Sequence, residues 1–345
     1  MKPGPQPDPS ETHGEPNADA KADGLSFALE NEARQCAGLG IDPQLFERAL
    51  FAGAKEFLSR PGKAFRARLV EASYGLAGGL ARQPPRAALE AIELLHAGSL
   101  IVDDIQDDAE ERRGAPALHR QLGMPRALNV GNWLYFVALS KLDELELEPE
   151  RALATTRAAH RCFLRCHEGQ ALDLALNISE LKRAEVPAVA HTTSQLKTGA
   201  LMAFAARLGA LVAQARAADV EALARFGERT GTVLQMLDDL GAFVAPERQD
   251  KALEDLRGQR VNWVWAWAAE SLDQLSYKQL SKQVGRGEQL VELKQRLAQA
   301  VEPLGRARVR LAVGAAMQEL EGAFSHGAAL EALAAELARL EQSYG

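Results

Sequence analysis

The sequence predicts an all-α fold, and three observations carry that prediction. From residue 25 onward Ala, Leu, Glu, Arg and Gln dominate, all strong helix formers. Period-two alternation of apolar and polar residues is nowhere sustained, and β-branched runs are short. Gly and Pro break the chain so that segments of roughly 12 to 25 residues with helical periodicity lie between them. The 345 residues are 47% hydrophobic, enough for a sizeable core. With no fixed-period repeat and no linker after residue 24, one all-helical domain over residues 25–345 is the simplest organisation.

Residues 1–24 carry five prolines, mixed charges and no apolar run. They read as a disordered tail rather than a signal peptide. Breaks are predicted at Arg60-Pro61-Gly62, at Gly78-Gly79 with Pro84-Pro85, around Gly114 to Pro116, at Gly123 to Pro125, and near Pro187, Pro246 and Gly285 to Gly287. The most apolar stretch, 199–213, is interrupted by Arg207 and is shorter than the ~20 residues a membrane span needs, so it reads as a core helix. No membrane span and no targeting signal are expected, and the predicted setting is cytoplasmic. A net charge of -7 argues against a nucleic-acid partner, whose phosphates require a basic surface.

The sharpest feature is an apolar segment, 94–102, that runs into Asp103-Asp104-Ile105-Gln106-Asp107-Asp108. Asp103 and Asp107 are four apart, so on a helix both carboxylates share a face with about 6 Å between Cβ atoms. Asp104 and Asp108 have the same spacing. Like charges so placed repel, and a half-buried set needs cations. Hard carboxylate oxygens suit magnesium, which takes one or two carboxylates and completes its shell with water and substrate phosphate. Alone, the cluster is equally well a solvated acidic helix end. The theme recurs at Gln235-Met236-Leu237-Asp238-Asp239, after the apolar stretch 226–237. If the two helices face each other, their carboxylates can hold metal ions around one diphosphate.

Metals alone do not orient a diphosphate. Lys63 and Arg66 follow the Pro61-Gly62 break, Arg112-Arg113-Gly114 follows the first cluster, and Lys197-Thr198 and Lys251 lie further on. Arg suits bidentate phosphate contact and Lys acts as a point charge. Any one of these is more often a surface charge; the set is what points to an anion. Cys36, Cys162 and Cys166 give no disulfide framework, and Cys162 and Cys166 read as small buried side chains one helical turn apart. Trp263, Trp265 and Trp267 read as core or dimer packing, although a two-residue spacing does not place all three on one helical face.

These motifs, in their order, carry a resemblance. Leu95-His96 through Ser99-Leu100, the DDIQD block, Arg112-Arg113-Gly114-x-Pro116-x-x-His119, Gly169-Gln170-x-x-Asp173, Lys197-Thr198-Gly199 and Gln235-x-x-Asp238-Asp239 together look like a trans-isoprenyl diphosphate synthase of the polyprenyl synthetase family, over roughly residues 50–265. The resemblance implies a single-domain bundle of long antiparallel helices around a deep central cavity, the isoprenoid synthase fold, usually as a homodimer. It implies three magnesium ions on Asp103, Asp107 and Asp238, with Asp104 and Asp239 in support. It implies Arg112, Lys197 and Lys251 on the allylic diphosphate; Lys63, Arg66, His96 and Arg113 on isopentenyl diphosphate; and Thr198, Gln235 and Asp173 at the reacting centre. Tyr135, Phe136 and His167 resemble the floor of geranylgeranyl-type synthases, and the level of Gly98 and Ser99 carries no aromatic plug. That resemblance predicts a twenty-carbon product from dimethylallyl, geranyl or farnesyl diphosphate as starter.

Three positions depart from the family pattern. Ala242 stands where the second acidic motif usually ends in a third Asp, Pro61-Gly62 replaces paired glycines, and Ala64 stands where many members have an arginine. A class I terpene cyclase on the same fold would not need Lys63, Arg66 and Arg113. A non-catalytic partner subunit would be supported by Ala242 and opposed by the intact first cluster. A helical scaffold with acidic ends would leave the ordered basic positions unexplained.

Overall fold

The computed structural model describes residues 25, 29–30, 32–36, 38–62, 64–80, 83–325 and 327–343. The tail expected over 1–24, and Lys63, lie outside the described residues. The helices are α1 (Pro43–Phe46), α2 (Ala52–Ser59), α3 (Phe65–Leu76), α4 (Arg86–Gln106), α5 (Leu118–Leu122), α6 (Met124–Asp143), α7 (Pro149–Ala175), α8 (Val186–Ser194), α9 (Ala200–Val212), α10 (Ala217–Val244), α11 (Gln249–Arg257), α12 (Trp263–Ser271), α13 (Gln274–Gly285), α14 (Leu290–Ala323) and α15 (Ala328–Ser343). Two π-turns, Glu47–Phe51 and Gln195–Gly199, join α1 to α2 and α8 to α9. Every predicted break falls at or beside a helix end except the one around Gly114 to Pro116, which falls in a short hairpin between two helices. Several helices are longer than expected: α14 has 34 residues because Pro303 sits inside it without ending it.

Local chemistry sets many of the boundaries. Asp42 caps α1 through the Gln44 N–H at 2.9 Å. Asn262 accepts from the Trp265 N–H at 3.3 Å and starts α12. Asp273 accepts from the Leu275 and Ser276 N–H groups at 2.9 and 3.0 Å and starts α13. Pro43, Pro149 and Pro187 occupy first-turn positions, where the missing N–H has no cost.

The described residues group into two compact units. The first takes the described residues before 64 together with 96–135, and so the C-terminal half of α4 and the first part of α6. Its buried side chains include Phe51, Phe57, Ile101, Leu118, Val130 and Leu134. Phe51 meets Trp133 edge to face with centroids 5.5 Å apart. Within this unit α4 and α6 cross closely: a Cβ on Gly98 would come 2.7 Å from the Gly131 carbonyl and 3.1 Å from the Tyr135 ring. This unit also holds β1 (Glu111–Arg112) and β2 (Ala115–Pro116), the one strand pair among the described residues, antiparallel with Glu111 opposite Pro116 and Arg112 opposite Ala115. Arg113 and Gly114 between them have φ of +56° and +77°, the left-handed pair a two-residue type I′ turn needs.

The second unit takes 64–95 and the residues from 136 onward. At its centre α10 packs on α9 and α14, with α12 on α8 and α14. α9 is the core helix expected at 199–213, with Leu201, Met202, Phe204 and Leu208 buried and Arg207 turned out to Glu221. Trp263 and Trp267, four apart, lie on one side of α12 with ring centroids 5.9 Å apart, whereas Trp265 packs on Tyr277 of α13. The odd spacing thus serves two faces. Ala242, at the position of the missing third Asp, is fully buried in this core. Among the described residues no helix is long and apolar enough to cross a membrane.

Candidate active site

In the first unit, α4 ends at Gln106, but the Asp107 N–H still bonds the Asp103 carbonyl at 2.9 Å. Asp103 and Asp107 therefore keep helical spacing, as expected. The pairing expected for Asp104 and Asp108 does not form. The Ala109 N–H bonds the Asp104 carbonyl at 2.9 Å, and Asp108 takes φ of +53°, a Schellman-type stop that turns its side chain into solvent. Asp104 is fully buried instead.

The hairpin that follows folds Arg112 back onto the helix end. Arg112 Nε donates to Asp104 Oδ1 at 2.6 Å, a terminal nitrogen also reaches Asp104, and the same nitrogen is 3.7 Å from Asp103. Burial raises the Asp104 carboxyl above its ordinary value, against the pull of Arg112. Burial also works against the Arg112 charge, but Asp104, Asp103 and Asp107 outweigh it and hold the guanidinium firmly protonated. Asp104 Oδ2 is buried with no hydrogen-bond partner among the described residues. Arg113 lies against Gly62: a Cβ there would stand 3.0 Å from the guanidinium carbon. His96 is half-buried on α4, and Ser99 Oγ donates back to its carbonyl at 2.8 Å.

The second unit holds a denser network. α10 continues past its Asp pair to Val244, so Asp238 and Asp239 lie in its last two turns. Arg248, in the 3-10 turn Pro246–Arg248 after the helix, donates to Asp238 Oδ1 at 2.6 Å, and Lys251 of α11 pairs with the other oxygen. Burial opposes ionisation of Asp238, but Lys251 and Arg248 prevail and its pKa falls below the ordinary value. Lys251 is raised: burial works against its charge, and Asp238 with Asp255 more than compensates. Asp239 faces inward, accepting from the Gln235 amide at 2.8 Å and from the Trp263 backbone N–H at 2.9 Å. Burial, opposed by the Trp263 N–H and reinforced by the Asp238 charge, pushes Asp239 up to about 7. Burial likewise pushes Asp255 up to about 7, with Lys251 pulling it down.

The Gln195–Gly199 π-turn presents the basic motif. A Cβ on Gly231 of α10 would come 2.7 Å from the Gly199 Cα, so only this glycine pair allows the turn so near α10. Thr198 then donates to Gln235 at 2.9 Å, and Lys197 pairs with Asp173 of α7 at 2.6 Å. A π-turn at such a place re-aims side chains that a regular helix would misplace. Thr198, Gln235, Asp239 and Trp263 thus form one hydrogen-bonded chain, and Trp263 Nε1 continues it to Ser194 at 2.8 Å.

Arg66 is half-buried on α3, and its charge acts on Cys162 and Cys166, whose sulfurs are 3.9 Å apart. The floor candidates have different surroundings. The Tyr135 ring covers Gly98, Phe136 is 69% exposed, and His167 is exposed with its Nδ1 2.8 Å from the Phe163 carbonyl. The sequence did not mark Arg248, Asp255 or Arg260, which donates to the Asp173 carbonyl at 2.6 Å, and it placed Trp263 in packing alone. Motifs are chemically distinctive runs, whereas Arg248 and Arg260 act by return contacts across 10 and 87 positions.

Among the described residues no three His, Cys, Asp or Glu converge on one point. Asp103 with Asp107, and Asp238, are hard oxygen donors in ones and twos, the set that suits magnesium completed by substrate phosphate and water rather than an all-protein cage. The buried, unpartnered Asp104 Oδ2 is consistent with strong local demand for positive charge.

The almost wholly helical architecture defines the class, an all-α isoprenoid synthase fold. A geranylgeranyl pyrophosphate synthase from Corynebacterium glutamicum, solved with isoprenyl diphosphate and magnesium, matches with a TM-score of 0.80 at 20% identity over 94% of this chain and 98% of that one. One from Lactobacillus brevis matches with a TM-score of 0.75 at 20% identity over 95% and 96%. The Polyprenyl synthetase family model matches residues 47–301, and the chain belongs to that family. Geranylgeranyl diphosphate synthase of Methanosarcina mazei is 33% identical over 57% of this chain and 60% of its own length. Short chain isoprenyl diphosphate synthase of Methanocaldococcus jannaschii is 27% identical over 68% of this chain and 71% of its own length. The chain spans about 60% of the first of these relatives.

Proposed function

We propose that the chain is a magnesium-dependent prenyltransferase that condenses isopentenyl diphosphate with an allylic diphosphate, head to tail and trans, and makes geranylgeranyl diphosphate. One observation carries the reading: both aspartate-bearing helix ends, Asp103-Asp104 and Asp238, carry their own cations, Arg112 in one case and Arg248 with Lys251 in the other. A diphosphate is the anion that recruits such cations while leaving the carboxylates to metal. Asp103, Asp107 and Asp238 would hold three magnesium ions, and these would supply the positive charge that makes diphosphate a good leaving group.

The chain's own residues do the rest. Arg112, Lys197 and Lys251 neutralise the allylic diphosphate as its C–O bond breaks. Lys63, Arg66, His96 and Arg113 hold isopentenyl diphosphate so that its double bond forms the new C–C bond with the allylic cation. A proton then leaves the adduct for the departing diphosphate, so no protein nucleophile is required. Thr198, Gln235 and Asp173 line the reacting centre, and Asp239 and Asp104 hold its outer charges in place. Tyr135, Phe136 and His167 set chain length. A homodimer completes the reading; a solution mass of one 37.3 kDa chain would refute that part.

The deciding experiment incubates purified protein with magnesium, isopentenyl diphosphate and dimethylallyl, geranyl or farnesyl diphosphate. The expected product is the twenty-carbon diphosphate, lengthened when Tyr135 and Phe136 are both replaced by alanine. Consumption of the allylic substrate alone, giving a hydrocarbon or alcohol, would establish a cyclase instead. No turnover with any starter would establish a non-catalytic subunit.

A further inference from the structure

Arg60 precedes a Pro-Gly break and, by sequence, resembles any surface cation. Its side chain is only 4% exposed. Burying a guanidinium is costly unless its donors are satisfied, and here every nitrogen has an acceptor. Nε and a terminal nitrogen form a fork to Glu56, one turn earlier on α2, at 3.0 and 2.9 Å. The two terminal nitrogens also donate to backbone: NH1 to the Arg112 carbonyl at 3.1 Å and NH2 to the Pro116 carbonyl at 2.9 Å. These carbonyls lie on opposite strands of the β1–β2 hairpin. The guanidinium lies 5.0 Å from the centroid of the Phe57 ring, which is fully buried. A lysine ammonium cannot reproduce this planar fork. Two residues on, bare Gly62 makes room for the Arg113 guanidinium.

We propose that Arg60 is a positioning residue for diphosphate binding. It ties both strands of the hairpin to α2, so that Arg112 meets Asp103 and Asp104 at a fixed angle. With Gly62 it also fixes where Arg113 rests. Arg60 acts only through these two arginines, and the inference rests on the diphosphate chemistry proposed for them.

The test uses the full chain with Arg60→Met, Arg60→Lys and Gly62→Ala. Three quantities are read: calorimetric affinity for inorganic pyrophosphate with magnesium, hydrogen exchange over residues 109–117, and the thermal midpoint. Arg60→Met is expected to weaken pyrophosphate binding on the order of 10- to 100-fold, as for other partners that orient binding groups. Exchange should rise over 109–117 and stay unchanged elsewhere. Arg60→Lys should restore the fold but only part of the affinity. Folded Arg60→Met with pyrophosphate affinity within about twofold of wild type would overturn the proposal, because a purely structural role lowers the midpoint and not the affinity of the folded fraction. If Arg60→Met does not fold, wild-type affinity in both Arg60→Lys and Gly62→Ala overturns it equally. Arg60-dependent pyrophosphate binding by a chain that transfers no prenyl group would remove the synthase reading and keep this inference. An active synthase indifferent to Arg60 would do the reverse.

Discussion

Asp238 and Asp239 are chain neighbours with opposite titration behaviour, and the cause is where each side chain points. Asp238 meets two cations that overcome its burial. Asp239 meets an amide and a backbone N–H, which soften burial without cancelling it. The first stays ionised, as the metal role proposed for it requires, and the second orients Gln235 and the start of α12. Asp238→Asn, whose amide oxygen carries no charge, is therefore expected to lower kcat on the order of 10²-fold or more. Asp239→Asn should cost about 10- to 100-fold. Incorporation of labelled isopentenyl diphosphate measures both, and equal losses would sink the division of roles. The Asp pairs themselves were legible in sequence, because a helix turns spacing into geometry. Which member faces the cations was not, because Arg248 and Lys251 return from beyond the end of α10. Arg60 was illegible for a related reason: two of its partners are backbone carbonyls 52 and 56 residues away, and a carbonyl leaves no mark in the amino-acid sequence.

At the level of elements, the helix boundaries were readable from Pro, Gly and capping residues, while the functional irregularities were not. Nothing in Gln195-Leu196-Lys197-Thr198-Gly199 announces a π-turn. It follows from the glycine-to-glycine approach of Gly199 and Gly231, a tertiary fact. The packing of α13 on α12 gives a testable case of its own. The Tyr277 ring sits edge-on to Trp265 at 6.1 Å, and Arg183 lies 5.5 Å over it. Its hydroxyl is buried with no hydrogen-bond partner among the described residues. Burial pushes the phenol up to about 12 from 10.0, with Arg183 pulling weakly the other way. A folded pKa above the unfolded one means that the stability contribution is fully present below pH 10.0 and is lost as pH rises through about 12. Tyr277→Phe keeps the ring and removes the unpaired hydroxyl. Its stability at pH 7.5 should equal wild type or exceed it by up to about 1 kcal/mol, and it should escape the alkaline loss. Urea unfolding at neutral and alkaline pH reads both. A loss above about 1 kcal/mol at neutral pH would mean that the hydroxyl is satisfied after all.

Across the whole molecule, the carboxylates proposed for metal and the cations proposed for diphosphate begin paired with each other. Arg112 occupies Asp104 and approaches Asp103, and Arg248 with Lys251 occupies both oxygens of Asp238. A magnesium ion arriving alone must compete with a cation already on its carboxylate, and a diphosphate arriving alone must strip cations from buried carboxylates. When both arrive, each ligand takes the partner the other leaves. Binding of magnesium and of inorganic pyrophosphate should therefore be positively coupled, by about 5- to 150-fold, and by the same factor whichever is titrated first. Calorimetry of each ligand with and without the other, corrected for complex formation in solution, measures the factor. Lys251→Met supplies the sign check: with one competing cation gone, magnesium alone should bind Asp238 more tightly, while the coupling to pyrophosphate shrinks. Independent binding in the wild-type chain, or coupling unaltered by Lys251→Met, would show that these ion pairs are permanent struts rather than placeholders for a metal-bound diphosphate.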